Sequence, residues 1–289
     1  MSDTLIIGDY AYSSWSLRGW LLFDRFGIAV TLRRISFLDA EVRDQLSDLP
    51  PARTVPLWQT AEGGLLRDSI AIAEELAQRH PDAGFWPDDP ILRATARSLT
   101  AEMHAGFAAL REYCPMNLRA AYRAVPVPEP VRTDLDRIEE LWALALEHSG
   151  GPWLCGAYSV ADAFYAPVAA RIAGYGLPVG PVGQGYVEAH LGDPAFRRWR
   201  CMGLVQGPDL PWYRRDYPRA DWPGPAPRTA RAVETGPAEN TACPYSGDPV
   251  THFMETDGRV FGFASALCRN ETVADQDAWP AFVAMRDGA

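Results

Sequence analysis

Within the first 80 residues the apolar pattern switches repeatedly between a period of two and a helical period, and that order restricts the fold more than any other feature. Residues 4–8 form a short apolar run of strand character. Residues 15–26 place Leu17, Trp20, Leu21 and Phe23 on one broad face and stop at Gly27, which suits a helix C-terminus. Residues 29–37 alternate as a second strand, and 40–49 carry a short helical pattern. Residues 55–59 and 65–66 flank the turn-like Ala61-Glu62-Gly63-Gly64 as a hairpin, and 69–80 close the unit as a helix. The order βαβαββα predicts an α/β unit with a mixed sheet and helices on both faces.

After the turn-rich stretch 84–90 the strand period disappears for about a hundred residues. Residues 91–124, 129–149, 160–174 and 182–191 space their apolar side chains as amphipathic helices do, which predicts an all-α bundle. Residues 207–241 are rich in proline and small residues and read as a linker or a wrapping tail. Order returns in 242–289, where 250–255 and 259–263 have strand character around Thr256-Asp257-Gly258 and a helix follows Ser265. The predicted organisation is 1–83, 90–206, a linker 207–241, and a small extension 242–289, a division that 289 residues can sustain.

The formal charge of −10 provides no broad basic surface for phosphates or anionic lipid, so nucleic-acid and membrane roles are disfavoured. Neither a secretory leader nor an apolar run of membrane-spanning length is read in the chain. The five cysteines are odd in number, widely spaced and contain no CxxC pair, which predicts free thiols in a reducing, cytoplasmic setting.

Three short motifs carry the chemistry. Tyr12-Ser13-Ser14-Trp15-Ser16-Leu17-Arg18 gathers hydroxyls and free backbone N–H groups at the positive end of the first helix. A serine there suits an anion, and equally an ordinary N-cap. Thr54-Val55-Pro56-Leu57 places a proline at the entry of the third strand, where a cis peptide would turn the backbone of Val55 toward an extended peptide ligand. Asp68-Ser69, at the start of the following helix, pairs an acid with a hydroxyl and spare amides, a fit for an α-amino acid group or simply a cap. Further on, Ser159-Val160-Ala161-Asp162 reads as a capping box with a folding role.

In this order and spacing the SSWSLR, VP and DSIAI segments resemble the glutathione transferase family, in particular its bacterial serine-type, zeta-like members, over roughly residues 3–205. The resemblance implies a thioredoxin-like N-terminal domain and a helical C-terminal one, with glutathione as co-substrate. It implies that Ser13 or Ser14 hydrogen-bonds the glutathione sulfur, that Val55 and Pro56 pair with its cysteinyl unit, and that Asp68 and Ser69 hold its γ-glutamyl end. Arg53 is a further candidate for a glutathione carboxylate. The implied activity is conjugation or isomerisation of a small electrophile by a cytoplasmic homodimer, with detoxification as the broad role. The alternatives are a glutathione-dependent reductase or peroxidase, or a binding protein without catalysis.

Two departures matter. Cysteine is absent from residues 13–16, which ranks disulfide reduction in that loop low, and Trp15 stands where zeta-like proteins commonly carry cysteine, which weakens a maleylacetoacetate isomerase assignment. The extension, with Cys243-Pro244-Tyr245-Ser246-Gly247-Asp248 and a second cysteine at Cys268, faintly resembles the small metal-associated YHS type of domain. Two sulfurs with His252 near one of them do not complete a four-ligand zinc site, so a metal-free module is expected. His104, His148 and His190 are expected on helices, at the surface or half-buried.

Overall fold

In the computed structural model, which describes residues 2–288, the chain opens with β1 (Thr4–Ile7) and α1 (Ser14–Asp24), followed by β2 (Thr31–Arg34) and a single turn of helix, α2 (Val42–Gln45). The hairpin strands β3 (Leu57–Gln59) and β4 (Leu65–Leu66) and helix α3 (Ser69–Arg79) complete the predicted βαβαββα order. The sheet runs β2-β1-β3-β4, with β1 parallel to β2 and antiparallel to β3. Leu5 lies opposite both Leu32 and Trp58, so the alternation that made these segments readable also sets their register. The β3–β4 turn closes through Thr60 N–H to Gly64 C=O at 2.9 Å.

The Val55–Pro56 peptide is cis. Helix α1 crosses directly over this proline at Gly19, where a Cβ would lie 2.8 Å from the Pro56 Cβ. Glycine is required there by space rather than by backbone angle.

The long helix expected over 91–124 is two helices. The first, α4 (Pro90–Ala105), is capped by Asp89, which accepts from the amides of Ile91 and Leu92 at 2.9 Å. The chain then breaks at Gly106 and at Phe107, whose φ is +58°, before α5 (Ala108–Tyr113). Arg111 closes the break by donating to the carbonyls of Met103 and His104, two of the unpaired acceptors at the end of α4. Apolar periodicity continues through this break, so the pattern alone misses it.

After the two-residue strand β5 (Ala121–Tyr122) come α6 (Glu129–Ser149), α7 (Val160–Tyr175) and α8 (Pro181–Gly192). Helix α7 is buried on nearly every side and packs against α1 and α4, which makes it the central pillar. The expected linker is not uniformly irregular. Strand β6 (Arg219–Ala220) pairs with β5, and Leu210 is fully buried with Ala11 and Tyr12.

By internal packing the described residues form two units, one within 2–191 with 207–223 and one of 192–206 with 224–288. The second contains α9 (Pro194–Val205), a sheet of β7 (Arg231–Val233), β8 (His252–Thr256) and β9 (Arg259–Phe263), and helices α10 (Ala266–Ala274) and α11 (Pro280–Asp287). This division differs from the predicted one in grouping α9 and the end of the linker with the extension. The β8–β9 hairpin turns at Asp257 and Gly258, both with positive φ, as an Asp-Gly turn requires. Its core is Met254, Phe261, Phe263, Phe282 and Cys243.

Candidate functional site

The first helix begins at a hydroxyl cluster whose hydrogen bonds separate the two candidate serines. Ser13 is the N-cap of α1: its Oγ accepts from Ser16 N–H at 3.3 Å and donates to Ser16 Oγ at 2.7 Å, and Ser16 Oγ also accepts from Gly8 N–H at 2.9 Å. The Ser13 proton is therefore committed inward. Ser14 Oγ instead accepts from Arg171 Nη2 at 3.2 Å, and its own O–H has no acceptor among the described residues. It retains a proton to give.

Arg171 comes from the middle of α7, where Nε and Nη1 donate to the carbonyls of Cys114 and Pro167 at 2.9 and 3.1 Å. Burial, and next the charge of Arg111, push its guanidinium down to about 10, so it remains a cation at neutral pH. Arg18 is 1% exposed between Trp15 and Phe164, 4.5 and 5.1 Å from their centroids, and its Nε and Nη1 have no hydrogen-bond partner in the protein. Burial, then Arg111 and Arg171, hold it well below the ordinary arginine value. Three guanidiniums thus stand near one another behind the first loop.

In front of them lies a cleft of about 400 Å³, within the range of small-molecule sites. Ser13, Ser14 and Trp15 form one side, Arg53, Thr54 and Val55 another, and Arg111, Met116, Arg171 and Tyr213 the rest. Its lining has three arginines and no acid, although the whole chain is acidic. A second cleft of about 300 Å³ shares Trp15, Thr54 and Val55 and ends on Pro56, Arg67, Asp68 and Ser69. Asp68 caps α3 through Oδ1 to Ile70 N–H at 2.7 Å, while Oδ2 lies 3.5 Å from His104 Nε2. The buried Ser69 Oγ has no hydrogen-bond partner in the protein.

All seven residues suggested for glutathione contact, Arg53 included, therefore border the two adjoining clefts. The capping residues lie elsewhere. Fully buried Asp162 accepts from Ser159 N–H and Oγ–H and from Leu154 N–H at 2.9, 3.0 and 3.0 Å, and from Tyr186 O–H at 2.8 Å. Half-buried His104 stands beside the second cleft, whereas His190 departs from the sequence expectation. It is 1% exposed, edge-on to Trp153 and Tyr186, and burial pushes its pKa down to about 3.

Sequence reasoning missed Arg111, Arg171 and Tyr213. The arginines sit in helices whose neighbours supply no charge pattern pointing inward. Tyr213 comes from the supposed linker, which returns because the Tyr12 hydroxyl donates to Asp209 at 2.9 Å and accepts from Leu210 N–H at 3.1 Å. The Tyr213 ring then packs tilted against that of Tyr12, with centroids 4.8 Å apart.

A mixed four-stranded sheet with a cis-proline strand beside the start of its first helix defines the thioredoxin-like class of fold, here joined to a helical bundle. Residues 12–79 match the family described as glutathione S-transferase, N-terminal domain. A probable maleylacetoacetate isomerase of Caenorhabditis elegans is 33% identical over 103 residues, 33% of this chain and 46% of that protein. The chain thus matches about half the length of this curated relative. Among solved structures, a maleylacetoacetate isomerase from Anaeromyxobacter dehalogenans superposes with a TM-score of 0.54 at 24% identity, covering 74% of this chain and 98% of its own. A glutathione transferase homologue from Burkholderia, with bound glutathione, gives 0.52 at 22%, covering 69% and 96%. These likenesses share the fold. Among the described residues no helix is long and apolar enough to cross a membrane, and no group of three or more His, Cys, Asp or Glu is placed to hold a metal.

Proposed function

We propose that this chain is a glutathione transferase in which Ser14 activates the glutathione thiol for attack on a small, negatively charged electrophile. The observation that carries the reading is the Arg171–Ser14 hydrogen bond at the mouth of a cleft walled by Val55 and Trp15, with the Ser14 proton left to donate. The γ-glutamyl end would sit at Asp68 and Ser69, the acid meeting the ammonium and the α3 amides with Ser69 Oγ meeting the carboxylate. The Val55 backbone beside cis-Pro56 would pair with the cysteinyl unit, which directs the sulfur toward Ser14.

A thiol of pKa about 8.5 is only about 3% ionised at pH 7, and lowering it by two units takes about 2.7 kcal/mol of preference for the thiolate. A charge-assisted hydrogen bond from Ser14, polarised by Arg171, with the α1 N-terminus and nearby guanidiniums, is of that size. The thiolate then attacks an electrophilic carbon, and the protein contributes activation and positioning without forming a covalent bond. Glutathione binding is tested by calorimetry on the full chain. Ser69→Ala is expected to raise KM for glutathione severalfold to about tenfold while sparing kcat, because it removes ground-state binding. Equal affinity in the variant would remove Ser69 from the site.

Arg53, Arg111 and Arg171, unopposed by any acid in the lining, favour an electrophile bearing a carboxylate. The enzyme should prefer an α-halocarboxylate to its neutral amide, and Arg111→Met should cut that ratio about tenfold, the size of one exposed-to-half-buried charge contact. An unchanged ratio would refute the anionic preference. Conjugation and isomerisation both begin from this thiolate. The same family resemblance supports a cytoplasmic homodimer, which gel filtration reads as twice 31.9 kDa.

A further inference from the structure

The second unit holds a feature that the transferase reading does not use. Cys243 belongs to its apolar core, 3% exposed, and partly exposed Cys268 packs against the same cluster from the first turn of α10. Cys243 opens a tight loop closed by Cys243 N–H to Asp248 C=O at 2.8 Å and Gly247 N–H to Cys243 C=O at 2.9 Å. The Asn240 amide pins the loop's approach to Gly262, donating to its carbonyl at 2.8 Å and accepting from its N–H at 2.7 Å.

Within that frame the Cys243 sulfur is faced by the amides of Ala264, Tyr245 and Ser246 and by the Ser246 hydroxyl. The Cys268 thiol lies within hydrogen-bonding reach of Cys243 and of Ser265. Among the described residues no third ligand joins the two sulfurs. The pair is therefore a dithiol.

We propose that Cys243 and Cys268 form a redox-active dithiol that closes to an internal disulfide at the expense of a low-molecular-weight disulfide. Burial works against the Cys243 thiolate, but the amide and hydroxyl donors outweigh it and bring the thiol below its ordinary value. Cys114, Cys155 and Cys201 are each pushed up to about 12, burial being the largest cause, and serve as inert internal controls.

Burial raises the Cys268 thiol, so Cys268, the accessible member, attacks one sulfur of the incoming disulfide only as the neighbouring Cys243 thiolate takes its proton as a general base. That S–S bond breaks, a thiolate leaves, and Cys268 carries a mixed disulfide. The departing thiolate recovers the proton from Cys243. The Cys243 thiolate then attacks the Cys268 sulfur and expels the second thiolate, which is protonated by water. One small disulfide has become two thiols, and the protein dithiol has become one disulfide.

The test treats the reduced full chain with glutathione disulfide, quenches with acid, and counts thiols by maleimide labelling and peptide mass mapping. Two of the five thiols should disappear into a Cys243–Cys268 linkage with no glutathione retained. Cys243→Ser should stop with one glutathione on Cys268. Five free thiols, a linkage through any other cysteine, or glutathione retained on the wild-type chain would overturn the proposal. The wild-type map decides the matter even where the variant folds poorly.

Discussion

Ser14→Ala is expected to lower kcat/KM at neutral pH by roughly 10- to 100-fold, while affinity for glutathione changes little. The magnitude follows from losing one hydrogen bond to a charged acceptor, about 1.5–3 kcal/mol, which raises the bound thiol by about one to two pKa units. The sign is set by the thiolate, the reacting form, whose population rises with pH. The variant's rate profile should therefore move to higher pH by about that amount and rejoin the wild type at strongly alkaline pH. Ser13→Ala is the control. Its hydroxyl caps α1 and is bonded to Ser16, so it should cost about 1 kcal/mol of stability with little shift in the profile. A profile that moves with Ser13 and stays put with Ser14 would reverse the assignment.

Asp162→Ala should be the most destabilising single change in the first unit, about 3–5 kcal/mol, and should reduce the yield of folded protein. Capping alone is worth about 1 kcal/mol, but the Asp162 carboxylate also serves Leu154 N–H and Tyr186 O–H, so its loss strands four buried donors rather than two. Burial raises the Asp162 pKa against these same donors. Asp162→Asn should recover only part of the loss, because its NH₂ faces donors instead of accepting from them. Chemical denaturation followed by tryptophan fluorescence measures this, since Trp142 and Trp153 lie beside Tyr186. A loss below about 1 kcal/mol would mean that Asp162 acts as a cap alone.

The βαβαββα order was legible because each element carries its own periodicity, and the hairpins announced themselves through Ala61–Gly64 and Asp257-Gly258. The serine loop, Val55-Pro56 and Asp68-Ser69 were legible because each is a short motif contiguous in sequence. The break at Gly106-Phe107 was not, because apolar spacing continues across it and the carbonyls it frees are satisfied by Arg111. His190 was misjudged for a related reason: local sequence does not reveal that Trp153, from outside the helix, encloses it together with Tyr186 one turn back on the same helix.

Local sequence alone determined the element order of the first unit and the positions of the motifs that border its clefts. Tertiary structure decided which serine keeps a proton to donate, since that depends on an arginine 157 residues away. It also decided that the cleft is cationic in an acidic chain, and that Cys243 and Cys268 meet. Hydrogen-bond partnership and electrostatic field depend on distance in space, and residues far apart in the chain come within that distance only when the helices and strands between them pack.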